Sequence, residues 1–335
     1  MFSEAKRKGK NKMYLSNFSP IRPNNLSPNV MFSGSSKYSD KEVAETKARF
    51  VFIPMNAPTD LNPEIKKEYK EITLTLKNGM KVKSWYSPPT EKGKGVEIFC
   101  HGNMSPFDKM QDAALRMLDH KKQLGIGALF VEYPRYGVNA NIGPEIKDMR
   151  DTTLNDTVEA ALEFTNKEGI PNSRTLVHAI SLGGSPGSHI AAVAPYLGSR
   201  EPLAGLILEG TITSMDKLLS DGRGQKFADI YTNLGLFKDI PDLRDIVEEM
   251  PKRPLDLSFN VIENLKKVQN TPTLIVCARN DMVVPSIMSN ELLKARPYRR
   301  TKFNMSEDGD HRNMGESSLK AVNDFVIETF TNPAR

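Results

Sequence analysis

Two cysteines in 335 residues cannot build a disulfide framework. Cys100 and Cys277 each close a short apolar run, and neither has a partner at metal-ligand spacing, so no metal centre is expected. So little cysteine fits a reducing, intracellular compartment. Long apolar runs are missing too: none approaches the roughly 20 residues that span a bilayer. The basic amino terminus has no apolar stretch behind it, position 2 is Phe, and the sequence closes on Asn332-Pro-Ala-Arg335. Neither a secretory signal nor a myristoyl or prenyl anchor is therefore expected, and a cytoplasmic location follows. Gly183-Gly184-x-x-Gly187 departs from the dinucleotide fingerprint, and no Gly-Lys-Ser/Thr follows a glycine-rich loop. No cofactor is called for. The net charge of +5 owes much to Lys6, Arg7, Lys8, Lys10 and Lys12. The rest mixes its charges, so no nucleic-acid-binding face is expected on the folded body.

Residues 1 to about 48 are rich in Lys, Ser, Asn and Pro and read as a loosely packed basic arm. A solvated tail is the plain reading, and weak contact with an anionic membrane is the other. The body is expected over 49–335. Alternation over Glu71–Lys77 and Lys81–Tyr86 around Asn78-Gly79 is a strong hairpin signal. Short apolar runs then alternate with helical patterns: Val96–Cys100, Ala128–Val131, Thr175–Ile180, Leu203–Glu209, Thr273–Cys277 and Thr301–Asn304 read as strands. Such alternation predicts a mostly parallel sheet with helices on both faces. The stretch from about 214 to 270 has helical pieces and no strand, and is expected to overhang the sheet's carboxyl edge as a cap. Its Phe227, Ile230, Tyr231, Leu234, Leu236 and Phe237 either line an apolar pocket or pack the cap down.

The strand Thr175–Ile180 ends on Ser181, and Gly183-Gly184 follow at once. A strand, a serine and a glycine-led helix make the turn that presents a nucleophile. Serine is a weak nucleophile at neutral pH and needs an imidazole base, which a carboxylate in turn orients. His311 follows the last strand and precedes the last helix, at a strand end where an open α/β sheet places its functional groups. His120, His178 and His189 lie on helices or inside the strand, and His101 reads as a loop-holding residue. For the acid, Asp281 follows the strand Thr273–Cys277 directly. Glu209 at the preceding strand end and Asp310 beside His311 are competitors. Oxyanion charge calls for two aimed N–H donors. Leu182 at the helix start is one, and Asn103 in the His101-Gly102-Asn103 loop is the other.

His101-Gly102-Asn103, Tyr133-Pro-Arg-Tyr136-Gly137, Ser181-Leu-Gly-Gly184 and Asn280-Asp281-Met-Val-Val-Pro285 together resemble the α/β-hydrolase serine hydrolases, in order and in spacing. The likeness is greatest to the abhydrolase-domain and Bem46-like branch and covers about residues 50–330. It implies the α/β-hydrolase fold, Ser181 as nucleophile, Asp281 as acid, His311 as base, and Asn103 and Leu182 as oxyanion-hole donors. It implies hydrolysis of a carboxylic ester or thioester, with a small-molecule or lipid-like acyl substrate. A peptidase or amidase using the same residues, and a non-catalytic binding protein on this fold, are the alternatives. Three departures from the family pattern stand out. Ala179 replaces a glycine, Glu132 replaces an aspartate, and Pro186 sits in the helix after the serine.

Overall fold

In a computed structural model of the chain, each apolar run becomes a strand of one sheet. The structure describes residues 37–54, 59–253, 257, 259–296 and 300–332. The strands are β1 (Lys70–Thr75), β2 (Lys81–Ser87), β3 (Val96–Cys100), β4 (Gly127–Val131), β5 (Thr175–Ile180), β6 (Gly205–Glu209), β7 (Thr273–Ala278) and β8 (Thr301–Ser306). They lie in the order β1-β2-β4-β3-β5-β6-β7-β8. β1 pairs antiparallel with β2, and β2 with β4; every later pairing is parallel. β3, β4, β6 and β7 are buried along their whole length. Strands covered on both faces must be apolar throughout, which is why these segments read as continuous runs. The expected hairpin forms at Asn78-Gly79, where Gly79 takes a φ of 82°.

The helices are α1 (Asp40–Val51), α2 (Pro63–Glu68), α3 (Gln111–Leu124), α4 (Asp151–Lys167), α5 (Gly184–Val193), α6 (Met215–Leu218), α7 (Gly224–Asn233), α8 (Leu243–Glu249), α9 (Val261–Lys267), α10 (Ser286–Ala295) and α11 (Glu316–Thr331). α3 and α11 pack together on one face of the sheet, and α4, α5, α9 and α10 pack as a row on the other. The elements from Tyr38 onward form one compact unit. Among the described residues no helix is long and apolar enough to cross a membrane.

Two expected boundaries are corrected. The arm drawn to residue 48 overlaps α1, which starts at Asp40 behind a Ser39–Glu42 capping box. Residues 1–36, with the basic cluster, lie outside the described residues. α1 escaped notice because little of it is apolar: Lys47 is fully buried and ion-paired to Asp216 of α6. The cap drawn over about 214–270 is also too long. α9 packs on α5 and α10, burying Val261 and Leu265, while Asn264 Nδ2 donates to Ser188 Oγ of α5 at 3.1 Å. It belongs to the body, so the cap consists of α6, a π-helical turn at Leu219–Arg223, α7 and α8.

Candidate active site

β5 delivers Ser181 at the carboxyl edge of the sheet with a φ of 53°. A left-handed conformation costs a non-glycine residue about 1–3 kcal/mol, and the surroundings have to enforce it. Close packing does so here. A side chain at Gly183 would collide with the carbonyls of Cys100 and His101 at the end of β3, and one at Gly184 with Thr211 after β6. A Cβ at Gly102 would lie 3.1 Å from that of Ser181. The serine turn is thus wedged between the ends of β3 and β6 with only glycines at the points of contact.

Ala179 fits for a related reason. It faces Gly187 of α5, and a Cβ at Gly187 would stand 2.5 Å from that of Ala179. The contact tolerates one methyl group, carried here by Ala179 on the strand and not by Gly187 on the helix. Gly187→Ala is accordingly expected to destabilise the protein by about 1–3 kcal/mol, read as a lower urea midpoint. Ala179→Gly in the same chain is expected to restore most of it. Pro186 is the third residue of α5, where backbone N–H groups have no partner within the α-helix, so its missing donor costs little.

His311 lies in the loop between β8 and α11, with Nε2 3.1 Å from Ser181 Oγ and Nδ1 2.7 Å from Asp281 Oδ2. Asp281 follows β7, its side chain fully buried while that of His311 keeps 17% exposure. The other carboxylate oxygen of Asp281 accepts the N–H groups of Val283 at 2.8 Å and Val284 at 2.7 Å. One oxygen is therefore fixed by the backbone and the other is aimed at the imidazole.

The rival acids are engaged elsewhere. Asp310 Oδ1 accepts the N–H groups of Arg312 and Asn313 at 2.8 and 2.9 Å, closing its own turn. Glu209 lies 2.8 Å from His178 Nε2. His178 Nδ1 in turn reaches Glu97 at 3.1 Å, and the second oxygen of Glu97 reaches His120 at 2.8 Å. A buried polar chain therefore crosses β6, β5 and β3 on the α3 face. Burial alone would push the His178 pKa down, but the two carboxylates outweigh it and raise it to about 9. Burial likewise works to raise Glu97 and Glu209, but their histidine partners lower both, holding Glu97 well below the usual carboxylate range.

The His101–Asn103 loop is clamped from several sides. Asn103 Oδ1 accepts from Tyr136 Oη at 2.7 Å, Ile53 N–H at 2.9 Å and Met104 N–H at 3.1 Å. Ser105 Oγ donates to the Asn103 carbonyl at 2.9 Å. With side chain and carbonyl both held, the orientation of the Asn103 peptide is fixed. His101 is fully buried, with Nδ1 2.7 Å from the Gly102 carbonyl and Nε2 3.1 Å from Glu132 Oε1. Glu132 Oε2 accepts the Phe107 N–H at 3.0 Å, so this departure from aspartate fastens the far end of the loop. Sequence reasoning noticed the Tyr133–Gly137 motif but not what Tyr136 holds. Ordered structure is expected from Phe50-Val-Phe-Ile-Pro54 onward, but the helix α1 that leads into it is not.

Asn103, Ser181 and Leu182 share a cavity of about 70 Å³ with Phe227 and Tyr231 of the cap. Of the six cap residues considered as pocket lining, only these two serve. Phe237 is buried against Phe50, and Ile230, Leu234 and Leu236 face outward.

No family model matches the sequence. Among curated proteins, the uncharacterized Mycobacterium tuberculosis protein Rv2307c is 24% identical over 84% of this chain and 87% of its own. Among solved structures, the Pyrococcus furiosus esterase Pf2001 superposes with a TM-score of 0.61 at 14% identity, covering 84% of this chain and 98% of that one. The α/β hydrolase GrgF from Penicillium sp. sh18 gives 0.57 at 13% identity, covering 78% and 99%. The acetyl xylan esterase from Paenibacillus sp. R4 gives 0.53 at 11%, covering 87% and 95%. With its eight-stranded, mostly parallel sheet, the chain has the α/β-hydrolase fold.

Proposed function

We propose that the chain is a serine hydrolase that transfers an acyl group from a carboxylic ester or thioester to water. The observation that carries this reading is the hydrogen-bonded line from Ser181 Oγ through His311 to Asp281, at 3.1 and 2.7 Å. Ser181 Oγ attacks the acyl carbon while His311 Nε2 takes its proton, and Asp281 steadies the imidazolium through Nδ1. The N–H groups of Leu182 and Asn103 meet the charge on the carbonyl oxygen. Collapse of the tetrahedral adduct breaks the bond to the leaving oxygen or sulfur, which receives the proton from His311. Water then attacks the acyl-Ser181 ester, His311 takes and returns a proton in the same way, and the acid departs. These steps need no cofactor.

The esterases among the structural neighbours support an ester substrate, and the four motifs support a place near the Bem46-like branch. A panel of p-nitrophenyl esters, acyl thioesters and p-nitroanilides tests the reading. Ester or thioester turnover well above anilide turnover is expected. Faster cleavage of anilides would make it an amidase.

A further inference from the structure

α1 is no bystander to the cavity beside Ser181. Phe50 and Val51, at its carboxyl end, line that cavity together with Phe227 and Tyr231. Phe50 packs edge-on to Tyr231 at 5.0 Å and against Phe237 at 6.0 Å, joining α1 to the cap. Two residues on, Ile53 N–H is bound to Asn103 Oδ1. The same short segment thus forms one wall of the pocket and fixes the Asn103 loop.

Charge pairs add to the buried packing of Val43, Ala48, Phe50 and Val51 in placing α1. Arg49 forms a bidentate pair with Asp239, at 2.8 and 2.9 Å, and lies over the Phe237 ring. Buried Lys47 pairs with Asp216, and Arg253 beyond α8 reaches Asp40 at 2.7 Å. These pairs bind α1 along its length to the cap and the segment after α8, and they hold Phe50 in the pocket.

The space left is small. A cavity of about 70 Å³ corresponds to only about two waters at ~30 Å³ each, room for no more than a short acyl chain. The residues around it are mostly apolar, so a charged or hydroxylated acyl group would lose its hydration without replacement.

Resting on the serine-hydrolase reading, we propose that α1 is the chain-length gauge of this enzyme: Phe50, held by the packing and ion pairs of α1, stops the pocket at a short, apolar acyl group. Each methylene newly accommodated is worth about fourfold in binding. Phe50→Ala is therefore expected to raise the ratio of kcat/KM for p-nitrophenyl decanoate to that for the butyrate at least tenfold. Phe50→Leu, which keeps most of the bulk, moves the ratio in the same direction by less. The native protein is expected to prefer the butyrate to the decanoate.

A native optimum at decanoate or longer overturns the proposal, and so does an unchanged ratio in both Phe50 variants. Fluorophosphonate labelling of each variant separates this failure from a failure of the hydrolase reading. Labelled protein with an unmoved chain-length profile rejects the gauge alone, and native protein that takes no label rejects both.

Discussion

Asp281→Asn is expected to lower kcat about 10⁴-fold on whichever ester the protein hydrolyses, with the fold intact. The asparagine Oδ1 can still accept the N–H groups of Val283 and Val284 that Asp281 now accepts, so the loop after β7 should not collapse. What changes is the partner of His311 Nδ1, 2.7 Å away. An amide NH₂ in that place favours a proton on Nε2, the wrong nitrogen for taking one from Ser181. Steady-state kinetics beside a thermal melt would check it, with KM moved little and Tm within a few degrees. A loss under tenfold would show that another carboxylate orients His311. Glu209 would then be suspected first, although its present partner is His178.

The second large effect lies beneath the site. His178→Gln removes the cation between Glu97 and Glu209 and is expected to cost about 3–5 kcal/mol, because two buried carboxylates lose their shared partner. The sign of its pH dependence is defined. The folded-state pKa of His178, about 9, lies above the ordinary histidine value of about 6.5. Its contribution is fully present below pH ~6.5 and disappears as the pH rises through about 9. Glu97 and Glu209 are shifted down, so their contribution is present above the ordinary carboxylate value and is lost as the pH falls below it. Urea unfolding from pH 4 to 10 should show native stability falling on the alkaline side by about 3 kcal/mol. His178→Gln should flatten that limb. An equal alkaline fall in both proteins would mean that His178 is neutral when folded.

The sheet was readable because its strands are buried on both faces and so carry uninterrupted apolar residues. The candidate site was readable for a related reason. An open parallel sheet displays its functional groups at the carboxyl ends of the strands, so Ser181, Asp281 and His311 each follow a recognisable strand. α1 carried no such signal. Lys41-Glu-Val-Ala-Glu-Thr-Lys-Ala-Arg49 looks like solvated chain until Lys47 and Arg49 meet Asp216 and Asp239, 169 and 190 residues away. The end of the cap was hidden similarly, since Val261 and Leu265 suit either a cap or a body helix.

The buried chain did leave a trace. Glu97 and His178 interrupt apolar runs, and Glu209 ends one. Charged groups in strands covered on both faces have to find each other or be paired from above. Read that way, the three residues predict their own contact. The same reasoning would have removed Glu209 from among the acids considered for His311.

Ser181 as the attacking residue is the claim on which the rest depends, and covalent trapping tests it most directly. Treated with a fluorophosphonate, the native protein is expected to gain one adduct by intact mass, mapped to Ser181 by peptide sequencing, while Ser181→Ala gains none. An adduct on another residue, or equal labelling of the two proteins, would contradict the account.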